Sequence, residues 1–266
     1  MIPKKIHYCW FGGNPLPDSA KSCIASWRKF CPDYEIIEWN EKNYDVTKNP
    51  YMQEAYANKK WSFVSDYARL DIIYHCGGVY LDTDVELLKP IDSLLELEGF
   101  MGFEDGKQVA LGLGFGAVPE NTAVKRILDM YEEISFHHPD GSMNLTPGPV
   151  LWTQALLRCG LVQNNERQRI EGVEIFPTEY FCPMNFKTGK KCLSPRSYSI
   201  HWYDSSWYDP ALQYQKKLNW KLNRFLPEAA AYNLSRFIAI TKFDGIGRAC
   251  RKTAEKLCAR HDTAEE

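Results

Sequence analysis

The sequence predicts an α/β protein, an open sheet flanked by helices, with a helical C-terminal extension. Three observations carry that expectation. The chain opens as strand, helix, strand; an apolar helix over 61–76 runs through two glycines into an apolar strand; and a helix over 121–134 has the amphipathic stripe needed to cover a sheet. With 266 residues, 44% hydrophobic and 25% charged, the chain can bury one sizeable core or a core with an appendage.

Lys4 to Gly13 reads as a short strand entering a glycine turn, and Asn14-Pro15-Leu16-Pro17 continues the loop. Asp18 is expected to cap a helix whose apolar residues Cys23, Ile24, Trp27 and Phe30 recur at helical spacing, ended by Pro32. Asp33 to Asn40 alternates as a second strand. Neither GxGxxG nor a P-loop follows, which disfavours dinucleotide and P-loop nucleotide sites. A turn-rich stretch leads at Asn49-Pro50 into a helix reaching about Asn58. Trp61 to Cys76 is a buried helix with an inner stripe of Phe63, Tyr67, Leu70, Ile73 and Tyr74, while Asp66 and Arg69 are placed to pair on another face.

Gly77-Gly78-Val79-Tyr80-Leu81-Asp82-Thr83-Asp84-Val85 then reads as one strand. Alternation would send Asp82 and Asp84 to the same side, where two like charges repel unless a cation or water offsets them. A solvated strand end is the plainer reading of the pair seen alone, so the spacing by itself names no ligand. Gly99 to Glu104 and Val109 to Val118 are expected as further strands, the second rich in Gly and Ala, which lets a ligand or another backbone come close. His137-His138 lies on a turn, where adjacent histidines rarely converge on a metal. Thr146-Pro147-Gly148-Pro149 opens a helix, Glu174 to Pro177 is a late strand, and Tyr180 to Ser194 an irregular loop.

The run from Ile2 to about Leu95, with IHYCWFGG, SDYARLDIIYHCGGVYLDTDV and Lys89-Pro90, resembles glycosyltransferase family 32, the DXD sugar-transferase family. It is also similar to the catalytic domain of the large clostridial glucosylating toxins. The resemblance implies a GT-A fold, a Rossmann-like mixed sheet flanked by helices. It further implies a nucleotide-sugar donor, a divalent cation such as Mn2+ (or Mg2+), and retention of anomeric configuration. By position, Asp84 would bind the metal, and Asp82 the metal and the donor ribose. Ser65, Asp66 and Arg69 of SDYAR would hold the transferred sugar, and Trp10 would stack on the base. The closing motif maps onto His201 as a further metal ligand and Ser206-Trp207 at the diphosphate. Where the family often carries Asn beside the sugar, this chain has Gly112-Leu113-Gly114, a departure that leaves the sugar open.

The expected organisation is a catalytic domain over 1–210 and a basic helical extension over 211–266. Between Ala211 and Arg260 there are eleven Lys or Arg against three acids, a net +8, while residues 1–210 carry −7. Helices over 213–226 and 230–241 mix Leu, Phe and Ile with cations, which suits either contact with a membrane surface through 211–260 or an ordinary solvated face. A whole-chain charge of −2 gives no reason to expect nucleic acid. Nine scattered cysteines without a CxxC pair argue against a disulfide framework and for a reducing compartment. No secretory signal or membrane-spanning run is visible. The expected place is the cytoplasm or the inner face of its membrane. The expected activity is transfer of a hexose from a nucleotide diphosphate sugar, with UDP the expected nucleotide, to a saccharide or lipid-linked saccharide in surface-polysaccharide or glycolipid synthesis. The alternatives are a non-catalytic nucleotide-sugar or glycan-binding protein of the same fold, and a toxin-like enzyme that glycosylates proteins.

Overall fold

The structure is a computed structural model and describes residues 1–204, 209–248 and 251. The chain divides into two compact units, residues 1–184 with 192–203, and residues 185–191 with 204–266.

In the first unit, β1 (Lys5–Cys9), β2 (Glu35–Trp39) and β3 (Gly78–Tyr80) begin a sheet that β5 (Gly99–Gly102), β6 (Phe115–Ala117), β7 (Gln168–Ile170) and β8 (Val173–Phe176) complete. The seven strands run in the order β2-β1-β3-β6-β5-β8-β7. Strand β1 is parallel to both β2 and β3, whereas β6 is antiparallel to β3 and β5, so the sheet is mixed. The helices are α1 (Asp18–Phe30), α2 (Pro50–Ala57), α3 (Trp61–Cys76), α4 (Thr122–Glu133), α5 (Gly148–Arg158) and the short α6 (Thr178–Phe181). This is the sheet with flanking helices that the sequence predicts. The chain leaves β1 to one side for β2 and returns on the other for β3. The order of the strands thus reverses between β1 and β3, and the carboxyl ends of strands at such a switch are where open α/β sheets hold ligands.

Several elements differ from expectation. The DxD run is not one strand: β3 ends at Tyr80, Asp82 to Asp84 form a turn closed by Val85 N donating to Asp82 O at 3.0 Å, and β4 (Val85–Leu87) joins another sheet. There β4 pairs antiparallel with β9 (Ser199–His201), with Val85 opposite His201. Local alternation ends because the backbone changes hydrogen-bonding partners after Leu81: Leu81 N still donates to His7 O of β1 at 3.1 Å, whereas Asp82 N donates to Gly112 O. Pro17, not Asp18, is the N-cap residue of α1, and Asp18 instead bonds Lys21 from the first turn. The glycine-rich stretch holds a 3-10 turn over Leu111–Leu113 before the three residues of β6, and β7 and α6 went unread.

Packing ties the DxD turn to the core. Trp27 of α1 is fully buried, and its indole N–H donates to Val85 O at 2.7 Å, fixing the start of β4. His7 of β1 is equally enclosed. It accepts from Trp39 Nε1 at Nδ1, 3.0 Å, so its Nε2–H donates to Gly77 O, 2.9 Å, at the end of α3. Protonation would aim a second N–H at the Trp39 donor, and burial pushes the imidazole down to about 4. A histidine depressed from 6.5 stabilises the fold fully above pH 6.5 and loses that contribution as pH falls toward 4. The loss is about 3 kcal/mol at roughly 1.4 kcal/mol per pH unit. Urea unfolding at pH 7 and pH 4.5 is expected to show this loss in the wild type and a shallower slope in His7→Gln; equal slopes would contradict the assignment.

The second unit holds α7 (Pro210–Leu222), which starts and ends earlier than the helix expected over 213–226, and α8 (Glu228–Asp244), which extends beyond the expected 230–241 at both ends. Asp209 caps α7 through the N–H groups of Ala211 and Leu212. Ala231, Ser235 and Ala239 form the buried stripe of α8. Among the described residues no helix is long and apolar enough to cross a membrane.

Candidate active site

Helix α3 ends at Gly77, whose φ of +61° only a glycine adopts readily, and that reversal sends the chain straight into β3. Asp66 and Arg69, one turn apart on α3, thereby face the DxD turn. Arg69 is 4% exposed and its guanidinium lies between two carboxylates, 3.0 Å from Asp66 Oδ1 and 3.3 Å from Asp82 Oδ2. It also donates to Ser65 O at 2.9 Å and to Ser65 Oγ at 3.1 Å. The rings of Tyr80 and Trp152 lie 4.8 and 5.3 Å from its centre. Burial opposes the charge on Arg69, but Asp82, Tyr80 and Asp66 hold its pKa above the ordinary value, so it stays a cation. Asp66 shares that cation with Asp82, and burial pushes its carboxyl up to about 7 against the pull of Arg69.

On the other side of the turn, ligand atoms of Asp82, Asp84 and His201 lie within 4.8 Å of one another. His201 Nε2 meets Asp84 Oδ1 at 2.9 Å, and Trp202 N donates to Asp84 O at 2.9 Å. The tie between β4 and β9 thus brings together residues more than a hundred positions apart. Burial works against a charge on His201, yet Asp84, Asp82 and Glu104 together raise its pKa. A place that draws a proton onto a buried imidazole attracts positive charge. Two carboxylates and an imidazole form a donor set that suits a divalent cation. His201 Nδ1 is buried and has no hydrogen-bond partner among the described residues. The residues present therefore fit a divalent cation.

Close backbone packing shapes the cluster. A Cβ on Gly112 would collide with the Asp82 carboxylate and stand 3.1 Å from Arg69, and a Cβ on Gly148 would lie 2.9 Å from Asp66 Oδ2. The departure Gly112-Leu113-Gly114 thus lies directly against the carboxylates, with Asp82 N donating to Gly112 O at 3.3 Å. Tyr80 donates to Asp82 Oδ1 at 3.1 Å.

Trp10 lies at the end of β1, at the same edge as Asp82, with its indole donating to Asn14 O at 2.6 Å rather than to the carboxylates. Ser206 and Trp207 lie outside the described residues. His137 bonds Glu54 and Asn58, apart from this cluster. Sequence reasoning missed Glu104 and Tyr203. The Tyr203 ring sits 4.1 Å from that of His201, its φ is +53°, and its hydroxyl meets Cys182 Sγ at 2.8 Å. Burial raises the Glu104 carboxyl, opposed by the charge of His201 and a hydrogen bond with Tyr203.

Residues 17–101 match the family model described as the glycosyltransferase sugar-binding region containing a DXD motif. Over these residues the resemblance read from the sequence therefore holds. The matched region includes Asp66, Arg69, Asp82 and Asp84 and excludes Trp10 and His201. The chain is similar to inositol phosphoceramide mannosyltransferase 1 of Schizosaccharomyces pombe, 32% identical over 111 residues, 38% of this chain and 33% of the relative. It is similar to mannosyl phosphorylinositol ceramide synthase SUR1 of Saccharomyces cerevisiae, 28% identical over 167 residues, 58% of this chain and 42% of the relative. It is also similar to a human alpha-1,4-N-acetylglucosaminyltransferase, 26% identical over 141 residues, 52% of this chain and 39% of the relative. The matches thus span between about a third and under half of each relative's length.

Proposed function

We propose that this chain is a metal-dependent retaining glycosyltransferase of the GT-A type that moves a hexose from a nucleoside diphosphate sugar to a glycan or lipid-linked saccharide. The observation that carries the reading is the convergence of Asp82, Asp84 and His201 within 4.8 Å, beside an Arg69 that bridges Asp66 and Asp82. Asp84, His201 and Asp82 would hold Mn2+ or Mg2+, and a cation bound there supplies charge that neutralises the donor diphosphate. Asp82 would also take the ribose, and Trp10 the base. Ser65, Asp66 and Arg69 would orient the sugar hydroxyls, with Arg69 offering fixed positive charge to the leaving group. Ser206 and Trp207 would cover the diphosphate and exclude water.

For retention, the acceptor hydroxyl attacks from the face the diphosphate leaves, and a departing phosphate oxygen takes the acceptor proton. No side chain is assigned as a general base. Residues 1–210 would form the catalytic domain and 211–266 its basic extension. The two fungal relatives are named for a ceramide lipid, which supports a lipid-linked acceptor, and the basic extension supports work at the inner face of the cytoplasmic membrane. Mannosyl and N-acetylglucosaminyl both occur among the relatives' names, so UDP- and GDP-sugars both belong in the test.

The test is a panel of nucleotide sugars with Mn2+, followed by release of nucleoside diphosphate. One donor is expected to turn over, with chelation abolishing turnover. Binding of a donor without release would instead establish a non-catalytic binding protein.

A further inference from the structure

We infer that the turn joining α7 to α8 is a docking surface for an anionic lipid bilayer, with Phe225 as its inserting side chain and Lys217, Lys221 and Arg224 as its charged rim. The inference rests on the membrane contact proposed above and names its residues. Lys217, Lys221 and Arg224 are exposed and follow one another at spacings of four and three, which puts them on one helical face. The helical path continues past Leu222, because Asn223 N donates to Asn219 O and Leu226 N to Leu222 O, each at 2.9 Å. The opposite face is committed to the unit's own packing, since Asn219 is buried and donates to Lys187 O at 2.8 Å, while Trp220, which flanks the row, is held by donating to Phe186 O at 2.8 Å.

Phe225, at the end of this row, is 85% exposed. An isolated surface Phe is unremarkable, but one at the apex of a turn, edged by cations that form no ion pair among the described residues, has the make-up of an interfacial anchor. Charge selects the occupant. The second unit has eleven Lys or Arg against four acids among its described residues, whereas the first has 18 against 26. A second copy would set like charge against like. Single-stranded nucleic acid favours grooves with successive aromatic platforms, whereas Phe225 stands on a convex turn. A bilayer takes both the ring and the cations, each cation contributing about 1 kcal/mol near an anionic surface.

The test is flotation of the full-length protein with vesicles of phosphatidylcholine alone and of phosphatidylcholine with about a third phosphatidylglycerol. Binding is expected only to the anionic vesicles, falling as salt rises. The double variant Lys221→Gln, Arg224→Gln is expected to bind roughly 30-fold more weakly, since each cation is worth about fivefold. Phe225→Ser is expected to lose about tenfold or more. All three positions are exposed, and unchanged melting curves would show that the variants are folded. Absence of flotation, equal binding to neutral vesicles, or binding insensitive to both variants would overturn the inference. So would a concentration-dependent dimer that Phe225→Ser abolishes in a protein that ignores vesicles. The assay contains no donor: bound vesicles with no donor turnover would leave this inference standing while the transferase reading fell.

Discussion

Replacing Asp84 by alanine is expected to lower donor turnover by about a thousandfold, the equivalent of roughly 4 kcal/mol of transition-state stabilisation. The size follows from what Asp84 alone supplies. Its carboxylate is the group that meets His201, 2.9 Å away, so its loss breaks the triad at the joint between the DxD turn and β9. The backbone tie from Trp202 N to Asp84 O does not depend on the side chain, so Asp84→Ala keeps the β4–β9 pairing. Release of nucleoside diphosphate and Mn2+-dependent donor binding should therefore fall together while the thermal transition stays in place. Unchanged turnover would remove Asp84 from the site.

Arg69→Ala is expected to act on the fold as strongly as Asp84→Ala acts on the chemistry. Removing the guanidinium strands Asp66 and Asp82 beside each other without their shared cation, in a place where burial already pushes Asp66 up to about 7. Breaking a buried ion pair on one side costs roughly 3 to 5 kcal/mol. Urea unfolding should show that loss, and the double variant Arg69→Ala, Asp66→Asn should recover part of it, because the stranded charge is gone. If the single variant kept its stability, Arg69 would be an ornament of the surface rather than the centre of a buried charge cluster. Arg69→Lys is expected to rescue poorly, since one ammonium cannot reach Ser65, Asp66 and Asp82 at once.

The sequence carried the α/β class because its signals were local: the helical spacing in α1, the glycines after α3, the amphipathic stripe of α4. It also brought Asp82 and Asp84 to one place, for a reason the structure corrects. They converge through a turn between two sheets, not through alternation along one strand. The change of sheet at Val85 depends on β9, more than a hundred residues away, and no local pattern reports it. Glu104 and Tyr203 escaped for the same cause. Glu104 follows β5 at an ordinary polar turn, and only the folded chain sets its carboxyl against Tyr203 and His201. Gly112 was legible as a small residue near the site and Gly148 only as part of a helix-opening turn; their closeness to Asp82 and Asp66 emerges only from packing.

The most direct test of the central claim is pulsed electron paramagnetic resonance of Mn2+ bound to the protein with UDP. Coupling to one imidazole nitrogen and to donor phosphorus is expected in the wild type, with the nitrogen signal lost in His201→Gln and metal binding lost in Asp84→Ala. Mn2+ that binds with no nitrogen coupling, or binds equally well to Asp84→Ala, would contradict the account.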